Sequence, residues 1–272
     1  MNGLSRYDAF HIDDYTDVVA AARMRFANRI RQIVGDANVV RLIVPARADT
    51  TTTTDLSKNA ATCTWDATIA ARLSQQGLGY KQTFASASSQ FGSLPDAADL
   101  SFGTGTADSA FSIVVLANVT DTAADRVLFA KYNVAGTLRE YALLVNGVGD
   151  TLQLNLYDES ADTQPLRTSD AAITMGATHL FTSTYDGTGG ATAANGVLLY
   201  SDASAIASTA TNNAGYVAME NTAAIASVGS LAAAVAGTDG TILMTLLCSV
   251  ALSATQLTQI KTAVNEFFGL AL

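Results

Sequence analysis

The stretch from His179 to Asp202 constrains the fold more than any other. His179, Phe181, Ser183 and Tyr185 alternate with Leu180, Thr182 and Thr184, the period of two that a half-buried strand requires. Asp186 and Gly187 end the run, a tip of small residues follows, and Val197 to Ser201 resumes a β pattern with an aromatic. This is an antiparallel hairpin with a long tip.

From Asp55 onward the chain reads as strands and turns. Candidate strands lie near Thr62 to Trp65, Tyr80 to Phe84, Ser89 to Phe91, Phe111 to Val119, Val127 to Tyr132, Glu140 to Val145, Leu152 to Tyr157, His179 to Tyr185, Val197 to Tyr200, Ala224 to Val228 and Thr241 to Ser249. Turn punctuation by Gly147, Gly149, Gly187, Gly189 and Gly190 fits two packed antiparallel sheets. Ser253 can cap a closing helix, in which Leu257, Ile260, Val264 and Phe267 recur at helical spacing. No fixed-period repeat is visible, which argues against solenoids and propellers.

Four segments in order carry a resemblance. THLFTSTYDG followed by LLYSDA, the stretch from Phe84 to Val119 with its Pro-Asp turn and DLS, the pair LFAKYN and YALLVN, and the ending ALSATQL resemble laminin-G-like domains of the concanavalin-A-like jelly-roll superfamily. Thr178 stands in that family's tryptophan slot, and Asp202-Ala203 where it has Asn-Gly. The resemblance covers roughly Asp55 to the C-terminus. It implies a mainly β, two-sheet antiparallel jelly-roll sandwich over 55–272.

Residues 1–49 differ in character, holding seven of the 15 basic residues, all arginines, against six aspartates. Tyr15, Val19, Ala22, Phe26, Ile30 and Ile33 recur at three- and four-residue steps, an apolar stripe on a helix that starts near Asp13 or Asp14 and stops at Gly35. Arg23, Arg25, Arg29 and Arg31 occupy its other faces, and their planar forks suit carboxylates on a partner. Two readings stand: an attachment arm in which Val19, Arg23, Phe26, Arg29, Ile30 and Ile33 bind a partner, or a helix packed on its own domain with solvated arginines. A short strand, Val39 to Val44, follows, and the threonines of 50–54 read as an extended linker.

At 272 residues and 49% hydrophobic content the chain can bury a large core. A net charge of -9 argues against nucleic acid as a partner, since phosphates need a basic face. No apolar run reaches membrane-spanning length, and the first residues lack the apolar core of a leader. Cys63 and Cys248 sit inside apolar patterns; buried free thiols are expected, with pairing across one sheet as the alternative.

Catalytic chemistry is hard to find. Retaining glucanases on this fold carry two carboxylates on one strand as E-x-D-x-x-E, and none of Glu140, Glu159, Glu220 and Glu266 opens that motif. His11 and His179 suggest no triad, and His179 reads as a strand residue. The chain is therefore expected not to be an enzyme. No cofactor is expected, with Ca²⁺ on loop aspartates such as Asp121, Asp125, Asp186 and Asp202 as the one alternative, since some laminin-G-like domains bind it. The Cys and His spacing fits no zinc site, and GTGT and GTGG lack the Lys-Ser/Thr of a phosphate loop.

The resemblance implies a non-enzymatic structural protein of a tailed-phage virion, a capsid decoration or a head-fibre or tail accessory, anchored by its N-terminal arm. Its partners would then be other virion proteins and itself, and it would be assembled in the host cytoplasm. The alternative is a lectin-like module that recognises a host surface glycan through loop aromatics such as Tyr132, Tyr157 or Tyr216.

Overall fold

Alternating burial along the longest strands dictates a layered architecture. In Phe111–Val119 every second residue (Phe111, Ile113, Val115, Ala117, Val119) enters one apolar cluster, while Val114 and Leu116 enter another. A strand apolar on both faces must be covered on both. The structure, a computed structural model, describes residues 12–272 apart from 48, 67–68, 89, 121–123, 134 and 232–234, with side chains from residue 18 onward. His11, Asp121 and the Tyr15 side chain lie outside the described residues.

In chain order the elements are α1 (Ile12–Val34), β1 (Val39–Ile43), β2 (Thr52–Thr54), β3 (Thr62–Trp65), β4 (Leu73–Gln76), β5 (Gly79–Phe84), β6 (Gly92–Leu94), β7 (Phe111–Val119), β8 (Arg126–Asn133), β9 (Leu138–Asn146), β10 (Thr151–Leu156), β11 (Leu166–Ser169), β12 (Thr178–Tyr185), β13 (Val197–Ser201), β14 (Ser204–Ala205), β15 (Ser208–Thr211), β16 (Ala226–Val228), β17 (Gly240–Cys248) and α2 (Ala254–Phe268). They form two antiparallel sheets. The first runs β14-β13-β12-β7-β17-β5-β4 with β1 also on β17, and the second runs β15-β11-β10-β9-β8-β16-β6-β3-β2. The expected hairpin is present: β12 pairs with β13 from Phe181 opposite Ser201 to Tyr185 opposite Val197.

The main core lies between the sheets, where Phe102 stacks on Phe111 at 4.6 Å and Tyr141 packs on Phe111 at 5.1 Å. The first sheet's outer face is covered by both helices. Phe26 stacks on Phe267 at 4.5 Å, and Ile30, Val34, Leu257, Ile260 and Val264 complete that second core. Gly35, at φ +91, ends α1 in a conformation that favours glycine. Ser253 caps α2 through a reciprocal capping box with Gln256.

The N-terminal segment is thus built into the fold. β1 adds to β17, and the apolar stripe of α1 meets the matching stripe of α2. The five threonines read as a linker contain β2, paired with β3; Thr53 is buried and accepts from Trp65 Nε1 at 2.9 Å. Cys63 and Cys248 are free and buried in different cores, on opposite sides of the first sheet.

Candidate functional site

Helices cover one sheet and leave the outer face of the other without such a cover. On β10, Leu152, Leu154 and Leu156 enter the inter-sheet core, so the alternating Gln153 and Asn155 stand on the outer side, where only their tips reach solvent, at 8% and 7% exposure. Register carries a row of amide and hydroxyl groups outward from Gln153 through Thr168 to Thr209. Thr168 Oγ1 donates to Gln153 Oε1 at 3.3 Å, and the two amides bond each other. Beside them Val127, Ala130, Ala142 and Leu144 form a small apolar cluster that is itself buried, with Tyr132, Leu231 and Ala236 packed over it.

A tyrosine pair closes one end of this face, with Tyr132 partly exposed and Tyr157 buried beneath it at 5% exposure. The Tyr132 and Tyr157 rings meet edge to face at 5.8 Å, and the Arg139 guanidinium lies 3.8 Å over Tyr157. Arg139 also grips Glu159 through two bonds of 2.7 Å and reaches Asp162 at 2.9 Å. Asp162 accepts from the Tyr157 hydroxyl, and that bond together with Arg139 holds its carboxyl below the usual range. Burial pushes the Tyr132 and Tyr157 phenols further above their ordinary range. The turn that presents Asp162 is fixed by Asp158, whose carboxylate accepts from Ser160 Oγ, Ala161 N and Val217 N.

Beneath this rim lies a buried ion network. Lys131 Nζ bonds Glu140 Oε1 at 2.5 Å, Thr222 O at 2.6 Å and Asp96 at 3.0 Å, and Glu140 Oε1 also accepts from Thr222 and Ser101. Burial raises the Glu140 carboxyl against these bonds, which favour its ionised form. Glu159 is held by Arg139, Glu220 accepts from Ser160 N, and Glu266 pairs with Arg29. Glu159 and Glu220 thus meet the same 158–162 turn, while Glu140 lies in the buried network and Glu266 on α2.

The remaining sequence candidates are dispersed. Asp125 accepts from Gly147 N, Asp186 from Thr188, and Asp202 from Leu180 N and His179 Nδ1. No group of three or more His, Cys, Asp or Glu that could hold a metal ion occurs among the described residues. Tyr216 stands apart from this pair: it is buried in the inter-sheet core, and its hydroxyl donates to Asp108, as does that of Tyr185.

The six α1 residues read as partner-binding divide. Phe26 and Ile30 are buried against α2 and the first sheet of the same chain. Arg23 donates to Val44 O at 2.7 Å, and Arg29 pairs with Glu266. Val19 and Ile33 are partly exposed. Reading the sequence for aromatics found Tyr132 and Tyr157 but missed Arg139, Gln153 and Asn155. The polar positions alternating with the leucines of β10 are the signal that marks the two amides.

No protein-family model and no curated protein matches the chain. Solved structures do. The chain is similar to the botulinum neurotoxin type G receptor binding domain, with TM-score 0.54, 11% identity, and coverage of 83% of this chain and 51% of that one. It is similar to the binding domain of Paraclostridial Mosquitocidal Protein 1, with TM-score 0.57, 12% identity, and coverage of 86% and 55%. It is also similar to Trypanosoma rangeli sialidase, with TM-score 0.55, 11% identity, and coverage of 92% and 39%. The chain spans about half the length of the two binding domains. At such identities the likeness establishes the fold, a jelly-roll sandwich, and function has to be argued from the site.

Proposed function

We propose that this protein is a non-catalytic carbohydrate-binding module whose recognition surface is the outer face of the second sheet. The observation that carries this is the partly exposed Tyr132 ring, set edge to face on the buried Tyr157 at 5.8 Å, at the end of a face where the Thr168 and Thr209 hydroxyls are accessible beside the tips of Gln153 and Asn155. Sugars offer apolar C–H faces and hydroxyls that donate and accept. Tyrosine rings match the first, and amides and hydroxyls the second. The fold relatives support this reading, since one is botulinum neurotoxin type C, whose cell entry depends on interaction with two ganglioside molecules, and another is a type D ligand binding domain in complex with N-acetylneuraminic acid.

The virion setting implied by the sequence resemblance belongs to the same proposal as the place where such a module would work. Screening the protein on a glycan array, then titrating each hit calorimetrically against Tyr132→Ala and Asn155→Ala, tests the binding reading. Both variants are expected to weaken a hit about tenfold, the loss of roughly 1.4 kcal/mol. An array without hits, or hits that neither variant weakens, would refute it.

A further inference from the structure

Away from the sheet face, a cavity of about 520 Å³ opens beside β1 and is lined by Lys58, Asn59, Asp99, Phe102, Ser109 and Ser249 among others. Its organising group is Asp99, whose carboxylate receives both arms of Arg41, at 2.7 and 2.8 Å, and the Asn59 amide at 2.6 Å. Arg41 is buried, so its own charge must be met inside the fold. Asp55, fully buried and 4.0 Å from Arg41 Nε, already supplies one carboxylate for that single positive charge. Asp99 is a second. Its side chain is 40% exposed and held rigidly by the Arg41 fork.

Around it stand exposed donors that no described group of the protein engages. The Lys58 ammonium and the Ser109 and Ser249 hydroxyls make no hydrogen bond or ion pair among the described residues. Asp99 Oδ2 is filled by two donors and Oδ1 receives one, which leaves acceptor capacity on Oδ1. A fixed acceptor surrounded by free donors suits a group that donates and accepts at once, which is what a hydroxyl does and what an ammonium or a carboxylate does not. The cavity is within the size range of small-molecule sites.

We infer that this cavity is a second binding site, distinct from the sheet face, that takes one neutral sugar residue through its hydroxyls: one hydroxyl donates to Asp99 Oδ1 while Lys58, Ser109 and Ser249 donate to its neighbours. Arg41 is a positioning residue that fixes the Asp99 carboxylate. The test is amide chemical-shift mapping of the ¹⁵N-labelled full chain, titrated with the methyl glycosides of glucose, galactose, mannose and N-acetylglucosamine. At least one is expected to shift Asn59, Asp99, Ser109 and Ser249 with millimolar affinity. Asp99→Asn and the exposed Lys58→Ala should each weaken that titration about tenfold, while Tyr132→Ala leaves it unchanged. Lys58→Ala keeps the test decisive if Asp99→Asn fails to fold. If no glycoside shifts these residues, or if the shifts persist in Lys58→Ala, the inference fails. It fails as well if the shifts fall only on the sheet face and vanish in Tyr132→Ala, a result that would leave the sheet reading standing. A response to spermidine in place of every glycoside would overturn the ligand class.

Discussion

Replacing Phe26 by alanine tests whether the N-terminal helix is structural. Phe26 is 5% exposed, stacks on Phe267 at 4.5 Å and meets Phe268 edge to face at 5.9 Å. Truncating a buried phenylalanine costs about 3–5 kcal/mol, through lost transfer energy and the cavity left behind. The two ring contacts place this site toward the upper part of that range. At roughly 2–4 °C per kcal/mol for a chain of this size, the melting temperature should fall by about 6–20 °C. The control is Arg29→Ala: its partner Glu266 is 62% exposed and Arg29 itself 42%, so the pair contributes about 1 kcal/mol or less. Differential scanning calorimetry of both variants, with circular dichroism to confirm that the sheets persist, gives the comparison. A Phe26→Ala variant that melts within 2 °C of the parent, about what one surface contact contributes, would show that α1 is only loosely attached and that the packing argument is wrong.

Further outcomes follow from the same geometry. Removing residues 1–49 takes away β1 and the helix that covers the first sheet, so the truncated chain is expected to aggregate and bind the dye ANS; a monomeric, cooperatively melting fragment would contradict this. Cys63 and Cys248 are fully buried, which pushes their thiols upward, so Ellman's reagent should label neither until guanidinium unfolds the protein. Burial raises the Asp108 carboxyl above its ordinary value of 3.8 despite bonds from Tyr185, Tyr216 and Met219. With a raised folded pKa, its contribution is fully present below 3.8 and is lost as pH rises through the folded value. The stability of the parent relative to Asp108→Asn should therefore decline from acid to neutral pH in urea titrations; a rise would reverse the assignment. Ala203 sits at φ +63 in the β13–β14 turn, and Ala203→Gly is expected to stabilise by up to ~1 kcal/mol, read as a higher melting temperature.

Most of the sandwich was legible because buried strands must alternate. β7, β12 and β17 carry that signal on both faces, and the hairpin through Tyr185 to Val197 follows from it. Among the strands that escaped notice, β4 (LSQQ), β11 (LRTS), β14 (SA) and β15 (STAT) lie at or near sheet edges and bury little, so no apolar period marks them. The strand read at Ser89 to Phe91 is displaced: Ser89 lies outside the described residues, Gln90 and Phe91 are not in a strand, and β6 follows at Gly92–Leu94. The stripe on α1 states that Phe26 and Ile30 are covered but not by what; the matching stripe of Leu257, Ile260 and Val264 on α2 is the answer, more than 200 residues away. The same distance hid much of the candidate sites. Tyr132 and Tyr157 were visible as aromatics, whereas Arg41, Asn59 and Asp99 converge only because β1 joins the first sheet.

The account rests on the second sheet's outer face, and a crystal structure of the protein with its strongest glycan-array hit tests it most directly. The predicted result is a sugar ring packed against Tyr132 with hydroxyls within hydrogen-bonding distance, about 3.2 Å or less, of Gln153 or Asn155. A sugar seated only over the α1–α2 side, or density absent from the sheet face at saturating glycan, would contradict it.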